Sequence, residues 1–145
     1  MVSAGLPPEV TVVVGFPLLL IPLAIYFILA FLMPGVEWTA VMADVPMMSG
    51  ATWRVTFSDA LICSALFLLF LEILKATRTA ARSIVDHLLS TLIFVGAMAA
   101  FITLPQAATS TFAILVVISF VDVIGGWSVS VRTASRDFSV QRLSD

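Results

Sequence analysis

Apolar residues in this chain do not alternate with polar ones. They come in four continuous runs, at 10–33, 57–74, 84–104 and 112–131. A helix needs about 20 apolar residues to cross about 30 Å of hydrocarbon, and each run approaches or reaches that length. The second run is the shortest, and Trp53 and Thr56 can extend it into the interface. Backbone amides in lipid must be bonded within their own segment, so each run is expected to be an α-helix. The absence of alternation argues against barrel strands. The expected fold is all-α: an integral membrane four-helix bundle of two helical hairpins, forming a single transmembrane domain over residues 1–145.

The breaks between runs carry their own signals. Gly15, Pro17 and Pro22 fall inside the first run. Each internal proline removes a helical hydrogen bond, so a bend is expected there, with the Leu18 carbonyl freed by Pro22. The start, "MVSAGLPPEV", has no basic residue and the apolar stretch after it is long for a signal peptide, so the run is expected to be retained as a span. Segment 34–56 is the only sizeable connection, with Trp38, Trp53, Met42, Met47 and Met48. Tryptophan prefers the headgroup level, so the segment is expected to lie along the outer interface. Thr56-x-x-Asp59 and Ser83-x-x-Asp86 fit capping boxes at the starts of the second and third helices, with Arg82 one turn before Asp86.

Composition agrees with the pattern. The chain is 61% hydrophobic and 11% charged, with a mean hydropathy of +1.14. Soluble domains carry about 25% charged residues, and a surface this poor in charge cannot face water on all sides. The expected location is a membrane, the inner (cytoplasmic) one if the source is bacterial, with the lipid bilayer as a partner. Lys75, Arg78 and Arg82 lie between the second and third runs, and Arg132, Arg136 and Arg142 follow the fourth. By the positive-inside rule the 75–83 loop and the C-terminus are cytoplasmic, and an even number of spans places the N-terminus there too. "RTAAR" at 78–82 and "RTASR" at 132–136 echo one another, as cytoplasmic helix ends that converge on small and basic residues would. The net charge of −2, without a basic patch, argues against nucleic acid as a partner.

Chemistry is sparse. One cysteine and one histidine support no paired-Cys metal site and no Ser/His/Asp set. The methionines lack an accompanying Cys or His for soft-metal binding. No cofactor or metal is expected, and the chain is not expected to be an enzyme. Glu72 lies three residues before Lys75 and is expected to snorkel outward. His87 adjoins Asp86 and is expected to be a polar anchor at the interface, its charge open to influence from Asp86.

Asp122 resists such explanations. It precedes Arg132 by ten residues, about 15 Å of helix, which is about half the hydrocarbon thickness. Carboxylates there cost about 2.5–3.5 kcal/mol to insert. Thr111, Leu115, Ser119, Asp122, Gly126, Ser130 and Thr133 recur at spacings of three and four and share one stripe. Small and hydroxyl residues on a stripe admit a neighbouring helix, so Asp122 is expected to face protein. Gly96-x-x-x-Ala100, with Ala97 and Ala99, offers a matching surface on the third helix, and the uncharged Pro105–Gln106 turn makes helices three and four an antiparallel hairpin. With no basic residue at the same depth, the expected partners are Ser64, Cys63, Tyr26 or the Leu18 carbonyl, all suited to a neutral carboxyl. The candidate functional or helix-contact residues are therefore Asp122, Ser119, Gly125, Gly126, Asp86, His87 and Glu72.

"GGWSVSVR", at residues 125–132, is similar to the end of the last helix in the small membrane subunit of proton-translocating nicotinamide nucleotide transhydrogenase. There a Gly-Gly-aromatic step precedes small or hydroxyl residues and a basic end. The match covers those residues alone; segment 34–56 and the 75–83 loop depart from that subunit. The resemblance implies a subunit role. The expected function is that of an accessory or assembly subunit of a membrane protein complex, with other membrane subunits or further copies of itself as partners. The alternative is an oligomeric transporter or proton- or ion-conducting element using Asp122.

Overall fold

The computed structural model describes residues 16–33, 35–76 and 83–141, with side chains described from Val85 in the third helix and as far as Ser128 in the last. Among the described residues there are four helices: α1 (Leu20–Leu32), α2 (Phe57–Ala76), α3 (Ser83–Thr103) and α4 (Ser110–Gln141). Two strands, β1 (Val41–Pro46) and β2 (Thr52–Thr56), join α1 to α2, and a 3-10 turn at Pro105–Ala107 joins α3 to α4.

Three helical stretches are long and apolar enough to cross a membrane: Phe57–Ala76, Val85–Thr103 and Ser110–Ser128. The first run departs from expectation. Its described helix, α1, has 13 residues, about 20 Å, which is short of a full span. Pro17 precedes the helix and Pro22 sits in its first turn, where a missing N–H costs no intrahelical bond. The Leu18 carbonyl accepts the Ile21 N–H at 3.1 Å and is not free. The part of the expected span at 10–15 lies outside the described residues.

The helix starts are set locally. The Thr56 N–H and hydroxyl both donate to Asp59 Oδ2, at 2.9 and 2.7 Å, and the Asp59 N–H donates to Thr56 Oγ1 at 3.2 Å. That reciprocal pair is the capping box expected at the head of α2. Thr109 caps α4 by accepting the Phe112 N–H at 3.2 Å. The expected Ser83 cap and Arg82 pairing lie outside the described side chains.

The connection between α1 and α2 contains regular structure. It holds an antiparallel hairpin pairing Asp44 with Arg54 and Val45 with Trp53, with a bulge between Val41 and Ala43. Gly50, at φ +82°, supplies the left-handed residue of its turn, where the Met47 N–H donates to the Ala51 carbonyl at 2.9 Å. Both faces of β1 are exposed, as are Met42, Met47, Met48 and Trp53. Trp38 instead packs inward, stacked on Tyr26 at 4.3 Å.

α4 is the central element. Half of its Ser110–Ser128 stretch is buried, against 22% and 17% for the corresponding stretches of α2 and α3. It packs antiparallel to α3 across the short turn and parallel to α2, where Ser58 Oγ meets Thr111 Oγ1 at 2.8 Å and Gly125 faces Ile73. α1 runs from the Lys75 end of α2 toward the Pro105–Ala107 turn, where the Tyr26 hydroxyl donates to the Gln106 carbonyl at 2.9 Å. Its single proton thus committed, the 2.7 Å contact with Thr109 Oγ1 is a bond donated by Thr109. Tyr26, Phe27, Trp38 and Phe112 close this end with aromatic contacts. Below them lies an apolar layer of Leu19, Leu23, Leu61, Ala65, Leu69, Leu115, Val116 and Ile118.

Candidate functional site

Polar side chains gather at the opposite end from the aromatic layer. A partly enclosed cavity of about 20 Å³ is lined by Glu72 and Lys75 from α2, Asp86, His87 and Ser90 from α3, and Asp122 and Gly126 from α4. Glu72, His87, Ser90 and Asp122 are each less than a tenth exposed, and Asp86 is half-buried. Every buried side-chain nitrogen and oxygen among the described residues has a hydrogen-bond partner.

The hairpin geometry explains the meeting of α3 and α4. Residues about equally far from the Pro105–Ala107 turn face one another. Phe94 meets Phe120 at 5.5 Å, the Asp122 carboxyl is hydrogen-bonded to the Ser90 side chain, and His87 lies over Gly126. A Cβ at position 126 would collide with the His87 imidazole, so that close approach requires glycine. The His87 ring also lies near Trp127, with centroids 6.5 Å apart, and the Trp127 N–H donates to Thr91 Oγ1 at 3.4 Å.

From α2, Glu72 and Lys75 form an ion pair at 2.8 Å, one turn apart. Both also hold the chain entering α1. Glu72 Oε2 accepts the Leu18 N–H at 3.0 Å, and Lys75 Nζ donates to the Phe16 carbonyl at 3.1 Å. Those backbone groups precede the helix and have no helical partners, so the pair satisfies them.

One packing expectation holds. Thr111, Leu115, Ser119, Asp122 and Gly126 are all buried, so the α4 stripe faces protein; Ser130 and Thr133 lie outside the described side chains. Of the seven candidate residues, Glu72, Asp86, His87, Asp122 and Gly126 line the one cavity. Gly125 lies against Ile73 instead, and the Ser119 hydroxyl bonds back to the Leu115 carbonyl at 2.9 Å.

Others are corrected. Glu72 does not snorkel outward: it is 7% exposed, because Lys75 and the Leu18 N–H compensate its burial. His87 is not a polar anchor at a surface but is equally buried. The expected partners of Asp122 lie elsewhere. Cys63 is exposed, the Ser64 hydroxyl bonds the Leu61 carbonyl at 2.7 Å, and Tyr26 sits at the far end. Nor is Asp122 remote from every cation, since Lys75 lines the same cavity. The Ser58–Thr111 contact sets α2 against α4 so that Glu72 falls about one turn beyond the level of Asp122, within reach of the Lys75 chain folding back. Gly96 is exposed with open space around it, and Ala97, 4% exposed, turns to the core in its place.

Among the described residues no group of three or more His, Cys, Asp or Glu side chains is arranged to hold a metal ion. No family model, curated protein or solved structure matches the chain.

Proposed function

We propose that this chain is a small integral membrane protein that crosses the bilayer with α2, α3 and α4, keeps the 77–82 connection on the cytoplasmic side, and serves as an accessory or assembly subunit of a membrane complex. The observation that carries this proposal is the distribution of apolar surface. Phe67, Val85, Leu92, Ile102 and Val117 are each at least 60% exposed, around all three long helices, while Glu72, His87, Ser90 and Asp122 are turned inward. Large apolar faces around a polar interior suit lipid and neighbouring helices as surroundings.

A conducting element is the second candidate, favoured by the polar cavity at Asp122. Against it stands the apolar layer between that cavity and the Tyr26 end, across which the described residues of one chain offer no polar route. Conduction would then require copies assembled around a shared path. Purification from native membranes in mild detergent separates these cases. An accessory subunit is expected to elute with stoichiometric partner proteins. A stable, pure monomer would count decisively against it, and a pure ring of copies would favour conduction.

A further inference from the structure

We propose that the cavity at the Lys75 end of the bundle is a one-sided proton-binding site, in which Asp122 takes up and releases a single proton through a water held between Asp122, His87 and Asp86. This goes beyond the subunit role and rests on the proposed crossing of the bilayer by α2, α3 and α4.

The cavity, about 20 Å³, is large enough for one water, which needs about 10–15 Å³ of such space and two to four polar partners. α3 and α4 supply those partners. A carboxyl group has two oxygens and about four lone-pair sites, and Ser90 engages one of them. Asp122 therefore keeps capacity for a water bond although it is 6% exposed.

Besides Asp122, four titratable side chains among the described residues line the cavity. From α2 come Glu72 and Lys75, which satisfy each other at 2.8 Å and spend further bonds on Leu18 and Phe16. They contribute little net charge. From α3 come Asp86 and His87, and from α4 Asp122 itself. The entering segment at 16–18 contributes backbone groups and no titratable side chain. Among the described residues, Asp122, His87 and Asp86 are therefore the groups left for the held water to reach.

Direction follows from the surroundings. Half-buried Asp86 stands toward the helix end, beside Lys75 and Ala76. On the other side Leu69, Leu115 and Ile118 are buried and apolar. A proton arriving from water passes by way of the held water to an Asp122 carboxylate oxygen, forming an O–H bond, and leaves by the same route. Gly126 belongs to the site because it lets the His87 ring lie against α4 and face the cavity.

Infrared spectroscopy of the full chain in liposomes tests this, with circular dichroism to verify the folding of each variant. A protonated-carboxyl C=O band is expected that disappears in Asp122→Asn, shifts promptly in D₂O, and titrates with a midpoint displaced by about one pH unit in His87→Gln. Three results would overturn the site: no band assignable to Asp122 at any pH, a band that fails to respond to D₂O, or a midpoint indifferent to His87→Gln. Liposomes loaded with a pH dye are expected to leak protons no faster than protein-free ones. A flux abolished by Asp122→Asn would overturn the one-sidedness. Neither result bears on whether the chain elutes with partner proteins.

Discussion

At the scale of single residues, the contact between Gly126 and His87 is the most specific feature of the polar end. Replacing Gly126 with alanine puts a methyl group where the imidazole lies. Overpacking of this kind costs about 1–3 kcal/mol. Gly126→Ala is expected to lower stability toward denaturant unfolding in detergent by that amount, and His87→Ala in the same chain to restore most of it. A full-cost effect in the double variant would mean that the glycine serves the backbone rather than the ring. The Ser90 partner of Asp122 was legible in principle. Counting outward from the Pro105–Gln106 turn pairs the two, and that count points to Ser90 where depth alone suggested Ser64, Cys63 or Tyr26. His87 was harder, because nothing in its own helix distinguishes a histidine facing headgroups from one facing a glycine on the next helix.

At the scale of elements, the Glu72–Lys75 pair fastens the chain entering α1 to the end of α2. Glu72 is buried and Lys75 partly so, and removing one member of a fully buried pair costs about 3–5 kcal/mol, which sets the upper bound here. Lys75→Met is therefore expected to destabilise the bundle strongly and to speed hydrogen exchange at the Leu18 amide. Glu72→Gln combined with Lys75→Met should cost distinctly less, since no lone charge remains. Comparable costs for the single and double variants would show that the side chains act through packing alone. The caps of α2 and α4 are local devices and follow from residues three apart. The β-hairpin escaped such reading because both faces of β1 are exposed, so no alternation of apolar and polar positions marks it.

At the scale of the whole molecule, the proposed topology places the hairpin and the 77–82 connection on opposite sides of the membrane. In a Cys63→Ser background, Ser49→Cys is expected to react with an impermeant maleimide in intact cells, and Ala80→Cys only after permeabilisation. Labelling of both from the same side would remove the crossing by α2. What followed from the sequence by itself was axial and local: the apolar runs, the cap at Asp59, and the stripe on α4 that turns Asp122 toward protein. These depend on residues near one another in the chain. Tertiary structure decided the rest: that Ala97 and not Gly96 faces the core, that Ser90 meets Asp122, and that Lys75 folds back beside it. The rotation and offset of one helix against another depend on packing between distant segments, and no period within a single helix encodes them.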